Sequence, residues 1–366
     1  MISIRHRRRL GRQLGVVSPA VALTAEEALE KAETLVRAGR FSDALATLTA
    51  SNRAAADPRL ELRLVEVRSD AATASTPAAK RPPWPESTPD LFPGERIPAV
   101  GRSDLTVEVL RSAIENHGSL IVRGLVDPIS VDRLRGDIDS ALAAFDATAE
   151  GTESAADRRF YRRFERDDVS NREAKRRRGS IMTVESPAAL FDLMEVFDET
   201  GLDDLARSYF GEDPHLLARK GTLRRIAATG QTGGWHQDGA FMGSGIRSQN
   251  VWMSLTHCGD TAPGLDIVGR RLDEIVETGG GAFSAWATDP AAAEREAAGA
   301  VVRPIFEPGD GILFDHMNLH RTAIDPSMTV DRYAIETWLL SPSAYGEMLV
   351  QNEHGYSPRD QVPIAL

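Results

Sequence analysis

The sequence lacks several features that define whole classes of protein. It holds a single cysteine, Cys258, which excludes an intrachain disulfide and a cysteine-based zinc cage and suits a reducing cytosol. No apolar run approaches the length needed to cross a bilayer. Acidic residues outnumber basic ones, and the formal net charge of -11 argues against a broad nucleic-acid interface. We therefore expect a cytoplasmic protein with neither nucleic-acid nor membrane partners.

The first residues allow two interpretations. Residues 5–9 are basic, and residues 14–25 are mildly apolar and end in Ala-Leu-Thr-Ala, which imitates a signal peptide. Ser18 and Pro19 interrupt the apolar part, however, and it is short. We favour a flexible basic tail over residues 1–23.

Residues 24–70 carry the pattern of a helical hairpin. Thr24 is a suitable N-cap, apolar residues then recur at helical spacing, and Gly39 ends the first helix. The turn around Gly39 resembles that of a tetratricopeptide hairpin, but about one repeat is visible where a stacked array needs several. We predict a helical cap packed on the main domain, and a partner-binding module is the alternative.

The remaining chain divides by composition. Residues 71–100 are rich in Ala, Thr, Ser and Pro, as expected of a linker or an extended strap. We assign residues 101–345 to one main domain and residues 346–366 to a C-terminal tail. The domain begins with two helical patterns, at 107–116 and after Asp127-Pro128, on either side of a short buried strand.

From about residue 216 onward, short strands separated by Gly and Pro turns dominate. This recurrence is typical of a sandwich or barrel and not of alternating βαβ units. With the preceding helices, it predicts an α+β fold with a double-sheet jelly roll. The predicted strands cover residues 223–228, 234–238, 250–256, 265–268, 301–306, 311–314 and 333–340.

A densely basic segment at residues 157–178 lies between these two parts. Ten of its side chains are Arg or Lys, and the ordinary interpretation is a solvated helix face or loop. The alternative is a mobile basic flap that meets an anionic substrate, such as a phosphate, a carboxylate or a carrier-bound thioester.

The most informative motif is a His-x-Asp step, His236-Gln237-Asp238, between glycines. In an extended strand, residues i and i+2 point to the same side. An imidazole and a carboxylate would then converge, which supplies two ligands of the facial two-His-one-carboxylate site of non-haem Fe(II) oxygenases. Alone, the step is a weak signal.

The third ligand is predicted downstream, because strands far apart in sequence pair in a jelly roll. We choose His320, with His316 as the second candidate. Thr322 lies two residues beyond His320, on the same strand face, and Arg332 begins the last strand. His257, beside Cys258, is expected to be a strand-end residue and not a metal ligand. The histidines without companions are expected to be surface or capping residues; they are His117, His215 and His354.

Arg332 has a clear use near such a centre. A guanidinium grips a carboxylate through two parallel hydrogen bonds, which lysine cannot do. A dicarboxylic 2-oxo acid needs this clamp at its far end, and Thr322 can add a hydroxyl donor. Arg321 is a lesser candidate, because it should face away from His320 in a regular strand.

Residues of about 101–345 resemble the phytanoyl-CoA dioxygenase family. The matching segments are the strand at 120–125, the step at 235–238, the strand at 250–255, the turn and strand at 263–269, Pro308-Gly309-Asp310 with His320, and Arg332. One departure is Gly269-Arg270-Arg271, where family members usually have Gly-Ser-His.

The resemblance implies a double-stranded β-helix with Fe(II) held by His236, Asp238 and His320. It also implies 2-oxoglutarate as cosubstrate, bound by Arg332 with Thr322 and Trp252 as further pocket residues, and O2 as oxidant. We expect hydroxylation of a small molecule, free or bound to a carrier or CoA, with release of succinate and CO2. The alternatives are a cupin-like metalloenzyme that needs no 2-oxoglutarate, and a non-catalytic protein that binds partners through its helical hairpin.

Overall fold

The computed structural model describes residues 23–75, 82–84, 87–164, 172–218, 220–279, 287–345 and 363–366. Its helices are α1 Ala25–Arg37, α2 Phe41–Ala54, α3 Pro58–Ala74, α4 Val107–His117, α5 Pro128–Glu150, α6 Asp157–Phe160, α7 Arg172–Arg177, α8 Pro187–Thr200, α9 Leu202–Phe210, α10 Gly239–Met242 and α11 Pro290–Ala297. Its strands are β1 Ala99–Gly101, β2 Ser119–Arg123, β3 Ser180–Met182, β4 His215–Leu217, β5 Thr222–Ile226, β6 Ser248–Ser254, β7 Gly264–Val268, β8 Val301–Val302, β9 Gly311–Phe314, β10 His320–Ala323, β11 Arg332–Leu340 and β12 Pro363–Ala365.

The strands form two sheets, as a jelly roll requires. The larger sheet runs in the order β1-β2-β9-β6-β11-β4-β12, with β5 beside the first half of β11 and β3 beyond it. The smaller sheet has the order β10-β7-β8. This arrangement confirms the predicted α+β fold with a double-stranded β-helix core.

Alternation along the strands of the large sheet separates two apolar cores. One face packs against α4, α5, α8 and α9 through residues such as Leu120, Val251, Leu313 and Ile335. The opposite face, with Trp252, Phe314 and Trp338, packs against Leu265 and Ile267 of the small sheet. We call this second face the inner face, because the candidate site lies on it.

The N-terminal segment consists of three helices, and the third continues to Ala74, past the predicted end of the hairpin. Arg53 pairs with Glu195 and Asp198 of α8, and the buried Glu61 pairs with Arg159. These contacts are those of a helical cap packed on the main domain. The predicted domain boundaries themselves stay a prediction, and the basic tail lies outside the described residues.

Most predicted strands formed within a few residues of their expected ends, but two did not. The strand expected at 234–238 is reduced to one bridge at His236, and the one at 301–306 shrinks to Val301–Val302 plus a bridge at Phe306. Within the described part of the chain, no helix is long and apolar enough to cross a membrane.

Asp137 of α5 and Asp192 of α8 bring two carboxyl groups together between packed helices. Burial, and then the neighbouring Asp192, raise the pKa of Asp137 to about 8. Arg133 lies 3.6 Å from Asp192 (Nε to Oδ1), so Asp192 keeps the charge. The unfolded chain releases the Asp137 proton near pH 4 and the folded chain only near pH 8. The folded state is therefore penalised as the pH rises through this window.

We expect Asp137→Asn to raise the free energy of unfolding at pH 8 by roughly 1–3 kcal/mol. The amide is neutral at every pH and still donates to Asp192. The gain should fade toward pH 4, where wild-type Asp137 carries its proton in both states. Denaturant unfolding at the two pH values measures it. Asp132→Asn is the matched control, because Asp132 is 81% exposed on the same helix. An equal gain at both pH values would contradict the assignment.

Candidate metal centre

The backbone brings His236 and His320 together. Each amide donates to the carbonyl of the other residue, over 3.0 Å from His236 N and 3.1 Å from His320 N. This bridge joins the segment after β5 to β10 of the small sheet. The ring centroids consequently lie 4.4 Å apart. The structure thus brings together two predicted ligands that are far apart in sequence.

Local hydrogen bonds set the orientation of both rings. His236 Nδ1 lies 2.9 Å from the carbonyl of Gly234, and His320 Nδ1 lies 3.1 Å from that of Asn318. A ring that donates from Nδ1 keeps its lone pair on Nε2, the arrangement found in metal-binding histidines. Burial, and then the neighbouring His320, lower the pKa of His236 to about 4. A neutral ring is the form that binds a metal.

Asp238 also lies close to His236, but its backbone conformation differs from the one predicted from the sequence. Its backbone is helical (φ -66°, ψ -23°) and leads into the short helix α10, so the strand argument for His-x-Asp was wrong. The turn is tight because Gly239 has Ile275 and His316 against its backbone. The carboxylate is 1% exposed, and Oδ1 lies 3.9 Å from His236 Nε2.

The donor set fits a divalent metal ion. Asp238 Oδ2 is buried without a hydrogen-bond partner, while Oδ1 accepts from Lys220 Nζ at 3.1 Å. Among the described residues, no three His, Cys, Asp or Glu side chains are already closed around one point. The unpartnered Oδ2 of Asp238 and the Nε2 atoms of the two histidines are the atoms that would hold such an ion.

Arg332 lies at the base of the inner face. It is fully buried, and Nη1 donates to the carbonyls of Pro263 and Gly264. Its Nε and Nη2 are buried without partners. Burial, and then the cation of Arg224, lower the pKa of Arg332 to about 10, so the group stays charged at neutral pH. Two buried donors on a buried cation are costly unless an anion binds there.

A match to a known family covers the part of the chain that carries the two histidines and Asp238. Residues 114–324, more than half of the chain, match the family described as phytanoyl-CoA dioxygenase (PhyH). The chain belongs to the phytanoyl-CoA dioxygenase family. It is therefore an Fe(II)- and 2-oxoglutarate-dependent oxygenase that uses O2 as cosubstrate. No curated protein matches the sequence significantly.

Several solved structures are similar to this family member over about two thirds of its length. EvdO2 from Micromonospora carbonacea var. aurantiaca is 15% identical, with 64% of this chain and 90% of that chain covered and a TM-score of 0.41. EctD from S. alaskensis, with 2-oxoglutarate and 5-hydroxyectoine, is 16% identical (63% and 75% covered, TM-score 0.44). The epimerase SnoN, in complex with Fe3+, α-ketoglutarate and nogalamycin RO, is 14% identical (69% and 92%, 0.43).

Thr322 and Arg321 lie on opposite faces of β10, as the alternation predicted. Thr322 is paired with Leu265 and shares the side of His320, whereas Arg321 is paired with Asp266. Arg321 also forms an ion pair with that carboxylate at 2.9 Å. Arg321 is therefore no longer a candidate for the cosubstrate site.

Trp252 completes the pocket around Arg332. Its ring lies 5.4 Å from the guanidinium carbon, and its Nε1 is buried without a partner. An indole N–H is a donor only. The ring thus lies beside the guanidinium and brings a third unused donor to it.

His316, the second choice for the third ligand, has both ring nitrogens in use. Nδ1 lies 3.0 Å from Ser248 Oγ and Nε2 lies 3.2 Å from the carbonyl of Ser244. Burial lowers its pKa, which favours the neutral ring. We assign it to the structural support of the turn that follows β9.

The expectation for two lone histidines was wrong. His117 is buried at the end of α4 and contacts Asp90 at 2.8 Å, and His215 is buried against Tyr345 at 2.7 Å. Their partners are distant in sequence and could not be found from spacing. His257 follows the end of β6 at Ser254, as expected of a strand-end residue, and it contacts Asp260 and Glu307. His354 lies outside the described residues.

The basic segment is paired more extensively than a free flap would be. Arg172 forms a buried ion pair with Glu185, and Arg176 pairs with Asp146. The departure at Arg270 and Arg271 has a similar explanation, because these side chains pair with Glu296 and Asp315. Residues 165–171 lie outside the described residues, so the flap itself stays a prediction.

Sequence reasoning missed a charged row beside the metal centre. Lys220, Arg224 and Glu336 face the inner side, where Arg224 Nη1 donates to Glu336 Oε2 at 3.0 Å. Burial opposes the charge of Glu336, but Arg224, Lys220 and His320 lower its pKa to about 2. The available signal was Glu336, a charged residue among the mostly apolar residues that follow Arg332 in β11.

Proposed function

We propose that this chain hydroxylates a small-molecule substrate and releases succinate and CO2. In this proposal His236, Asp238 and His320 hold Fe(II), while Arg332 binds the far carboxylate of 2-oxoglutarate. The bound iron, with 2-oxoglutarate and O2, supplies the oxidising chemistry. The observation that carries the proposal is the pair of unused donors on the buried Arg332, on the same inner face as the histidine pair.

The pocket chemistry supports a dicarboxylate at this position. One carboxylate can accept from Arg332 Nε and Nη2 together, which gives the parallel bonds of a bidentate pair. Trp252 Nε1 is a further buried donor beside it, and Thr322 stands on the adjoining strand face. Arg332 thereby orients the cosubstrate, while the buried wall around it keeps water away from the carboxylate.

The retained carboxylate of Asp238 favours oxygen insertion over halogen transfer. A halide would need a coordination position that a carboxylate ligand fills. The substrate carbon must approach from the side of the inner face that Lys220 and Glu336 border. The chain's own contribution is to place that carbon and to exclude solvent.

The proposal is tested by loading the purified protein with Fe(II) and 2-oxoglutarate under anaerobic conditions. We expect the weak visible charge-transfer band of chelated 2-oxoglutarate, and stoichiometric succinate after O2 is admitted. A band without succinate across a metabolite panel would show cosubstrate binding without turnover. Succinate without a band would show turnover without a detectable chelate of 2-oxoglutarate. The absence of both would refute the proposal. Product analysis then separates hydroxylation from desaturation, ring closure or epimerisation.

A further inference from the structure

Three polar side chains lie in a row at the beginning of β5, on the inner face. Lys220 precedes the strand, and Thr222 and Arg224 lie at alternate positions within it. Thr222 is paired with Glu336 and Arg224 with Ala334 of β11. Leu223, which lies between Thr222 and Arg224, packs on the opposite face of the sheet, in the core that contacts the helices. The alternation therefore directs all three side chains of this row, which we call the β5 row, toward the inner side.

The β5 row keeps hydrogen-bonding capacity that the protein does not use. Thr222 is 8% exposed, and its Oγ1 is buried without a partner. Arg224 Nε is buried without a partner too, although Nη1 is bound to Glu336. Unsatisfied donors of this kind cost free energy unless a ligand satisfies them.

The row lies directly beside the metal centre. Lys220 Nζ is 3.1 Å from Asp238 Oδ1 and lies over the rings of Phe241 and Trp338, at 4.6 and 5.5 Å. The Lys220 and Arg224 side chains are 19% and 25% exposed. A group bound here would be reachable from solvent and close to the iron ligands, with aromatic walls for an apolar body.

The charges on this side of the barrel do not balance. Among the described residues of the inner face, the cations are Lys220, Arg224 and Arg332, and the carboxylates are Asp238 and Glu336. Fe(II) and the 2-oxoglutarate dianion cancel each other, so one positive charge remains after both are bound. A further anion would neutralise it.

A lysine from the basic segment strengthens the positive field. Burial, and then the cation of Lys220, lower the pKa of Lys175 to about 8. Lys175 belongs to α7, which packs against β3, the strand paired with β5. The helix therefore brings a further cation to the side of the sheet edge that carries β5.

We propose that Lys220, Thr222 and Arg224 bind an anionic group, a carboxylate or a phosphate, of the primary substrate. This inference rests on the proposed function, because it needs the cosubstrate to occupy the Arg332 pocket. Arg332 is paired with Ile226, one inward-facing position beyond Arg224, and has its own unused donors. Two anion sites therefore stand side by side along the same strand pair.

The test uses calorimetric titration of the full chain with butyrate, butyl phosphate and the neutral butyramide. Titrations are made with metal-free protein and with protein holding Mn(II) and 2-oxoglutarate, so that no turnover occurs. We expect at least one anion to bind about 10-fold more tightly than butyramide. Lys220→Met should weaken anion binding about 10-fold or more, and Thr222→Val about 3-fold or more.

Arg225→Gln is the matched control. Arg225 lies on the opposite face of the same strand, partly exposed and paired with Asp139 and Asp331, so the variant removes one charge without touching the row. Its anion affinity should stay within about 2-fold of wild type. Thr222→Val changes no charge and tests the site if Lys220→Met fails to fold.

Several outcomes would overturn the inference. They are equal binding of butyramide and both anions, an equal loss in Arg225→Gln, and a loss of 2-oxoglutarate affinity instead of anion affinity in Lys220→Met. The last outcome would mean that the β5 row binds 2-oxoglutarate and not the primary substrate. If the wild type binds the anion without metal but takes up neither Mn(II) nor 2-oxoglutarate, the proposed function fails and the anion site stands.

Discussion

We expect His320→Gln to lose bound iron and the 2-oxoglutarate charge-transfer band together. The proposed site has three protein ligands, so each one should carry a large share of the metal affinity. Loss of a hydrogen-bond partner behind a ligand already costs about 10–100-fold in metal affinity, and loss of the ligand itself should cost more. Metal content after dialysis and anaerobic absorption spectra measure the effect. Asp238→Ala should behave in the same way.

His316→Gln is the matched control for this experiment. It removes an imidazole four positions away, whose two nitrogens are occupied by Ser248 and Ser244. Iron content should remain near that of wild type, although stability falls because those hydrogen bonds are lost. If His316→Gln loses iron and His320→Gln retains it, the choice between the two histidines is reversed.

Arg332→Lys should raise the 2-oxoglutarate concentration needed for half-saturation by about 100-fold, with little change in iron content. Lysine keeps the charge but cannot make two parallel hydrogen bonds to a carboxylate. Its side chain is also shorter than that of arginine, so the ammonium group would lie farther from the carboxylate. The same substitution frees the carbonyls of Pro263 and Gly264 from Nη1, so a loss of stability accompanies it. Titration of the charge-transfer band separates affinity from turnover.

Arg321→Gln gives the comparison. Arg321 is also an arginine close to His320 in sequence, but it faces away and pairs with Asp266. Its affinity for 2-oxoglutarate should stay within about 3-fold of wild type. A large loss of 2-oxoglutarate affinity in Arg321→Gln, with none in Arg332→Lys, would show that the cosubstrate binds on the other side of β10.

The sequence predicted the fold where strands are apolar and regular. The strand at 311–314 matches β9, and those expected at 265–268 and 333–340 each begin one residue later than β7 and β11. Short strands at the sheet margins were missed, including β3, β4 and β12, because three residues are too few for a periodic pattern.

The three ligands named from the sequence stay a prediction, but the backbone conformation expected for Asp238 was wrong. Asp238 lies in a turn and not in a strand, and Met242 N donates to its carbonyl at 2.9 Å. The two ligands converge because a bridge holds His236 and a helical turn follows it. A His-x-Asp step can therefore supply two ligands without extended backbone between them.

The β5 row could not be predicted from its own residues. Lys220, Thr222 and Arg224 alternate in sequence, yet charged alternation usually marks the solvent face of a strand. Only the pairing of β5 with β11 turns this face inward, toward Glu336 and Asp238. Long-range pairing of that kind is not encoded in local spacing.

The backbone bridge between His236 and His320 limits how the chain can vary in length. Because strand faces alternate, a shift of β10 by one residue would replace His320 with Leu319 or Arg321 opposite His236. The same shift would turn Thr322 away from the inner side. An insertion or deletion of one residue between Phe314 and His320 would thus remove a proposed metal ligand and a proposed pocket hydroxyl at once. The proposed iron site therefore requires a fixed length for the loop at 315–319.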